Sequence, residues 1–271
     1  MKKTLLLISI FYFLFASGCE YFYQTSEAKY LIVYKNGGDN NIYTVYNDGS
    51  NLRQLTSTGT ANYPKFSPNG NIIIFKDNAN YKYLDLNGNS SFIRKQDASY
   101  ITEEYCSWSP DGLKIVFADI VGNLYIYKQS DKSYKTIYSG FIFDSVDFTP
   151  DGQKIITSAG TTFYSINADG TNLKTIITGM NYLKYHPSGT RLGFVNAGNN
   201  LFICDTDINN KIQLTSDGKS DYFVFSPDGT KIFYINSGPP IKIWSMDIDG
   251  NNKREIPNTD DVEDFDVTVQ Y

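Results

Sequence analysis

The sequence predicts an all-β protein, a six-bladed β-propeller of four-stranded antiparallel blades. Three observations predict it. A turn phrase, aromatic–Ser–Pro–Asp–Gly, recurs in five copies through the 271 residues. A second hairpin phrase falls between the copies. The two ends of the chain carry complementary parts of one further repeat.

The five copies are Phe66-Ser67-Pro68-Asn69-Gly70, Trp108-Ser109-Pro110-Asp111-Gly112, Phe148-Thr149-Pro150-Asp151-Gly152, Tyr185-His186-Pro187-Ser188-Gly189 and Phe225-Ser226-Pro227-Asp228-Gly229. With Pro68, Pro110, Pro150, Pro187 and Pro227 as the ruler, the intervals are 42, 40, 37 and 40 residues. Between them stand Asn47-Asp48-Gly49, Asn87-Gly88, Ala168-Asp169-Gly170 and Asp249-Gly250, each after an alternating aromatic run. Asp-Gly and Asn-Gly supply the positive φ that tight hairpins need. Short alternating strands follow, at 52–56, 173–176 and 211–215. Each repeat therefore holds four strands. In the second blade they are expected at 63–66, 72–75, 81–85 and 91–94, and in the third at 104–108, 114–117, 124–127 and 134–137. No stretch after Cys19 carries a helical period over ten or more residues.

Residues 30–34 match the second strand of a repeat and have no first strand before them. Residues 262–267 lie where the next first strand is due. The last segment is thus expected to complete the first blade and remove an open sheet edge. Residues 29–271 divided among six blades give about 40 residues each, the measure of a propeller repeat. A β-helix or open solenoid would not explain the complementary ends.

Aromatic residues make up 15% of the chain, with 22 Tyr and 18 Phe, as strands favour. The net charge is −5, and −7 once Lys2 and Lys3 are set aside. An acidic body without a basic cluster argues against a nucleic-acid partner. The N-terminus reads as an address. Lys2 and Lys3 precede an apolar run at 5–15, broken only by Ser9 and too short to span a bilayer. Ala16-Ser17-Gly18-Cys19 resembles the bacterial lipoprotein cleavage signal, with Ala16 where Leu is commonest. That resemblance implies a signal peptide at 1–18, lipidation of Cys19, a tether at 19–28, and the propeller at 29–271. Two or more acyl chains would anchor it stably. Cys106 and Cys204 fall in non-neighbouring blades and are expected to be free and packed as small apolar residues.

The candidate chemistry reads mostly as structure. Asp111, Asp151 and Asp228 recur with the turn, where Asp bonds the backbone and Gly takes positive φ. Asp247-Ile248-Asp249-Gly250-Asn251 partly resembles a calcium loop, but Asn258 stands where the terminal Glu belongs, and a hairpin turn is expected. His186 is the single histidine, too few for a multi-His metal centre, and its place in the turn phrase reads as drift. No Gly-x-Ser-x-Gly elbow occurs. Glu103-Glu104 and the acids from Asp260 to Asp266 could mimic a glycosidase pair, but a solvated acidic rim is expected. The chain lacks the Ser-x-Asp-x-Gly-x-Thr-Trp phrase of sialidase-like repeats. No catalytic residue, cofactor or metal ligand is therefore expected.

The phrase aromatic–Ser–Pro–Asp–Gly–x–Lys–Ile–x–Phe, followed by Ile–Tyr and Asp–Gly–x–Asn–Leu–x–x–Leu–Thr, resembles the WD-like propeller repeat of the TolB family over essentially all of 29–271. TolB proteins carry an α/β domain ahead of the propeller. Only about ten residues separate Cys19 from the first strand, so that domain is expected to be absent. The resemblance implies protein–protein contact in the bacterial envelope, through the propeller faces or channel. The matched positions are structural, so no partner-contact residue carries over. The expected protein is a monomeric, non-catalytic binding or scaffold lipoprotein with an envelope partner, on the outer membrane if the organism is Gram-negative. Its rivals are a carbohydrate-active propeller using channel-mouth carboxylates and a small-ligand or metal-binding propeller. Convergence of carboxylates on one channel mouth would favour the enzyme.

Overall fold

A computed structural model describes residues 28–270. The expected signal segment at 1–18 and Cys19 lie outside the described residues. Within them are six four-stranded antiparallel sheets and no helix. The blades are numbered I to VI in chain order. Blade II is representative: β4 (Ala61–Phe66), β5 (Ile72–Asp77), β6 (Asn80–Asp85) and β7 (Ser90–Phe92) pair in sequence order. Blade III holds β8 (Tyr105–Trp108), β9 (Lys114–Ala118), β10 (Asn123–Lys128) and β11 (Tyr134–Ser139). The expected strands stand within a residue or two of these bounds.

Ring closure is as the ends implied. Blade I orders its strands β24-β1-β2-β3, with β24 (Val262–Gln270) against β1 (Lys29–Asn36), and then β2 (Asn41–Tyr46) and β3 (Arg53–Gln54). Lys29 pairs with Gln270, Ile32 with Val267 and Tyr34 with Phe265. The closing strand runs three residues beyond the expected 262–267 because β1 offers it partners back to Lys29.

The turn phrase owes its recurrence to a compact set of hydrogen bonds. In blade VI the Lys231 amide donates to Ser226 Oγ at 2.9 Å, and that hydroxyl donates to Asp228 Oδ1 at 2.6 Å. Gly229 then takes φ +71° and its amide donates to the Ser226 carbonyl at 2.8 Å. Ser109–Asp111 and Thr149–Asp151 repeat the hydroxyl–carboxylate bond at 2.6 Å each. These aspartates serve as turn formers.

The Leu–Thr pairs explain the brevity of the outer strands β3 and β19 (Ile212–Gln213). Thr56 Oγ1 accepts the Ile42 amide at 2.9 Å, and Thr215 Oγ1 accepts the Leu201 amide at 2.8 Å. Leu55 and Leu214 turn inward and are buried. The chain thus leaves the ladder after two paired residues, and the threonine hydroxyl takes the third-strand amide that the ladder no longer pairs.

Alternation along each strand sends successive side chains to opposite faces. A blade therefore packs against both neighbours, and the apolar residues form interblade cores. Tyr30, Ile32 and Phe265 of blade I meet Val224, Phe233 and Ile235 of blade VI. Cys106, Trp108 and Phe117 of blade III meet Ile74 and Tyr81 of blade II. Cys106 and Cys204 are both buried and free, and burial pushes the Cys106 thiol up to about 12.

Candidate functional site: the central channel

The first strand of each of blades II to VI, with β24 of blade I, lies nearest the ring axis. There β4 meets β24 and β8, β8 meets β12 (Ser145–Phe148), and β16 (Met180–Tyr185) meets β20 (Ser220–Phe225). The side chains that point away from the interblade cores line an axial cavity of about 320 Å³. Its wall includes Tyr63, Lys65, Tyr105, Ser107, Asp147, Tyr182, Lys184, Tyr222 and Asp264.

The lining is charged and internally paired. Lys65 Nζ lies 3.1 Å from Asp264 Oδ1 and donates to Tyr222 Oη at 2.7 Å. Lys184 Nζ lies 3.0 Å from Asp147 Oδ2, and Ser107 Oγ donates to Asp147 Oδ1 at 2.5 Å. Asp266 Oδ2 accepts the Phe66 amide at 2.8 Å. Tyr182 and Tyr222 pack with ring centres 4.7 Å apart.

Burial and charge compete here. Burial pulls the Lys65 ammonium down, but Asp264 and Asp266 outweigh it and hold it above its ordinary value. Lys184 is likewise raised, because Asp147 overcomes the burial penalty. Burial raises the Asp266 carboxyl, against the pull of Lys65 and Lys184. Burial also raises the Tyr182 and Tyr222 phenols. The channel thus presents fixed ammonium, carboxylate and phenol groups, suited to holding a polar ligand.

The structure corrects the expectation of a solvated acidic rim. Glu103 is buried, 3.5 Å from Lys95 Nζ, and Glu104 pairs with Lys76 and accepts from Tyr63 Oη. The C-terminal acids divide. Asp260 and Asp261 are exposed, whereas Asp264 and Asp266 turn toward the axis, because Phe265 and Val267 point into the blade I core. Carboxylates do converge on one channel mouth, as the enzyme reading requires, but Asp147, Glu263 and Asp264 each carry a lysine partner.

His186 keeps its place in the turn and adds an interblade contact. Its Nε2 is 2.9 Å from the Gly229 carbonyl of the next blade, and its ring meets Phe225 edge-on at 5.1 Å. The calcium-like segment is a hairpin turn. Asp247 pairs with Lys231 at 2.8 Å, and Asp249 Oδ1 accepts the Asn251 amide at 3.0 Å. Among the described residues, no group of three or more His, Cys, Asp or Glu side chains could hold a metal.

Sequence reading missed the channel residues, although a signal for them exists. The residue before each turn-phrase aromatic includes Lys65, Ser107, Asp147 and Lys184, and the residue two earlier is Tyr63, Tyr105, Ser145, Tyr182 or Tyr222. In a ring, those positions on the innermost strand face the axis, except in blade VI, where Val224 precedes the aromatic and packs in the core with blade I.

These features define a closed six-bladed propeller with a polar axial channel. More narrowly, its fold is the TolB-type propeller. TolB from Acinetobacter baumannii superposes with a TM-score of 0.72 at 18% identity, over 89% of this chain and 66% of that one. The chain thus spans just under two thirds of that TolB. A chain of the nidogen/laminin complex gives 0.68 at 12% identity, over 90% of this chain and 98% of that one. An oligogalacturonate lyase in complex with manganese gives 0.57 at 16% identity, over 79% and 69%. At such identities the likeness is one of fold. No protein-family profile and no curated protein matches the sequence.

Proposed function

We propose that this protein is a non-catalytic binding module of the bacterial cell envelope, lipid-anchored at Cys19, that engages a partner protein with the channel-mouth face of its propeller. The observation that carries the reading is the self-paired channel lining. Lys65–Asp264 and Lys184–Asp147 hold both signs of charge in fixed positions, as recognition of a polar surface requires. The TolB-type fold and the occurrence of a similar propeller in the nidogen/laminin complex support a protein ligand. The sequence at 16–19 supports the anchor.

The test is crosslinking in native membranes, with Cys19→Ala as the control for anchoring. One envelope protein should be enriched with the wild type and lost when Asn181, at the channel mouth, is changed to Lys. Enrichment no greater than that of an unrelated lipidated protein would defeat the proposal.

Convergence of carboxylates on the mouth, together with the likeness to oligogalacturonate lyase, supports a second reading as a carbohydrate-active propeller. Shortening of an acidic oligosaccharide by the purified protein, with and without manganese, would favour it over the binder.

A further inference from the structure

At one end of the ring, blade III differs from blades I, II, IV and V, and it exposes more apolar surface than blade VI, whose turn at 237–241 shows only Ile241, 38% exposed. The turn between the second and third strands is built from Gly37, Gly38, Asp39 and Asn40 in blade I, Asn78 and Ala79 in blade II, and Gly160 and Thr161 in blade IV. In blade III the same turn carries Ile120 and Val121, which are 64% and 74% exposed. The neighbouring loop adds Phe141 and Ile142, 40% and 62% exposed. The two tips touch, since the Gly140 amide donates to the Gly122 carbonyl at 3.0 Å. A Cβ on Gly122 would stand 2.4 Å from the Phe141 carbonyl oxygen.

The patch is held rigidly. Asp119 Oδ1 accepts the amides of Val121 at 3.0 Å and Asn123 at 2.9 Å. Phe141 stacks on Tyr138 at 6.3 Å and on Tyr164 at 5.5 Å. A rigid apolar anchor loses little entropy when it is covered.

The patch is continuous with the channel mouth. Phe143 is buried beneath it, and the next residue, Asp144, lines the axial cavity. Asp144 Oδ2 accepts the Gly160 amide at 2.5 Å. Among the described residues no lysine or arginine forms an ion pair with Asp144, whereas Asp147, Asp264 and Glu263 each have one. The mouth therefore offers an uncompensated carboxylate beside an apolar shelf.

We propose that this shelf is the partner-binding anchor, taking an extended polypeptide in which a bulky apolar side chain lies close to a lysine or arginine. The apolar side chain covers Val121 and Ile142, and the cation pairs with Asp144. The inference rests on the channel-face reading and narrows it. A polypeptide suits the face better than a bilayer, because the chain enters the propeller at the opposite end. There Lys29 lies 3.8 Å from Asp48, and Tyr30 Oη donates to Asp228 of the Ser–Pro–Asp–Gly turn.

The test is selection of a random dodecapeptide phage library on the folded protein. Each enriched peptide is then synthesised and titrated against wild type, Val121→Asp, Asp144→Asn and Asn181→Lys, all surface changes whose folding is checked by Tm. The expected peptides carry Lys or Arg within about four residues of Leu, Ile, Phe or Trp, the spacing an extended chain needs between shelf and mouth. Val121→Asp should weaken them at least tenfold, and Asp144→Asn should abolish their preference for Lys over Gln. Peptides that lack a cation, or that bind Val121→Asp unchanged, overturn the proposal. If such peptides still fail on Asn181→Lys, the channel-face reading survives without the anchor. Peptides indifferent to all three variants, or no enrichment, overturn both.

Discussion

Lys65 of blade II and Asp264 of the closing strand meet at 3.1 Å on the channel wall, with side chains only 20% and 16% exposed. The pair couples the last strand of the chain to a blade formed some 200 residues earlier. Removing one member of a buried ion pair leaves the other desolvated and alone. Lys65→Met should therefore cost about 3 kcal/mol in urea unfolding. The double variant Lys65→Met/Asp264→Leu should recover most of that loss. A double variant no more stable than Lys65→Met would show that the pair's cost is not electrostatic.

The turn aspartates make stability sensitive to acid. Hydrogen bonds from Ser109 and the Leu113 amide hold the Asp111 carboxyl below its usual value, and Thr149 and the Gln153 amide do the same for Asp151. Asp228 is also lowered: burial pushes it up, but Ser226, Thr230 and Tyr30 prevail. A carboxylate depressed in the folded state stabilises above its unfolded pKa, about 3.9, and loses that contribution as pH falls through the folded value. Tm should thus fall steeply below about pH 4. Asn69 already fills the Asp position in blade II, accepting from Ser67 at 2.8 Å, so asparagine fits the turn. The triple variant Asp111→Asn/Asp151→Asn/Asp228→Asn should show a shallower acid limb. Identical Tm–pH curves would reject this account. Asp266 runs the other way: burial raises its folded value, so its contribution is lost as pH rises through that value.

The ring was legible because its signals are local and repeated. Ser226, Asp228 and Gly229 specify one turn, and five copies of the phrase count the blades. Tyr30–Tyr34 and Val262–Val267 showed the closure because each lacked the partner the other supplies. The channel was less legible. Period-two alternation says that Lys65 and Lys184 avoid the blade cores, but not whether they face the axis or the solvent. The patch at Ile120 and Phe141 was hidden for another reason: two tips about 20 residues apart become one surface only through the pairing of β10 with β11, which sets Asn123 beside Ser139.

The hairpin phrase gives a sharp local test. Gly170 has φ +91°, and a Cβ there would stand 1.8 Å from the Ile137 carbonyl oxygen. Gly160 also has positive φ, +56°, but a Cβ would meet nothing within 4 Å. Gly160→Ala should cost about 1 kcal/mol, the left-handed backbone penalty alone. Gly170→Ala adds overpacking against rigid backbone and should cost about 3 kcal/mol in total. Equal losses in thermal unfolding would mean that the two blades give way to relieve the contact.

The last test concerns the missing sixth turn. Val269 pairs with Tyr30, two residues beyond the Val267–Ile32 pair that corresponds to Phe66 and Ile73, so the closing strand and β1 form a longer hairpin whose connection the chain does not make. In blade VI that connection is Ser226 to Thr230, Ser–Pro–Asp–Gly–Thr. A circular permutant should supply it, running from Asp261 through Val269, then Ser–Pro–Asp–Gly–Thr, then Lys29 to Asp260. Its new ends fall between two exposed residues, and every strand keeps its partners. The seam becomes a short-range hairpin, whose closure costs less entropy than the pairing of the two distant chain ends. The permutant should melt no lower than the linear protein comprising residues 29–271, and it should keep Cys106 and Cys204 unreactive to thiol reagents until it unfolds, since both are buried. Early labelling of either cysteine would instead show that the permuted ring opens before it unfolds.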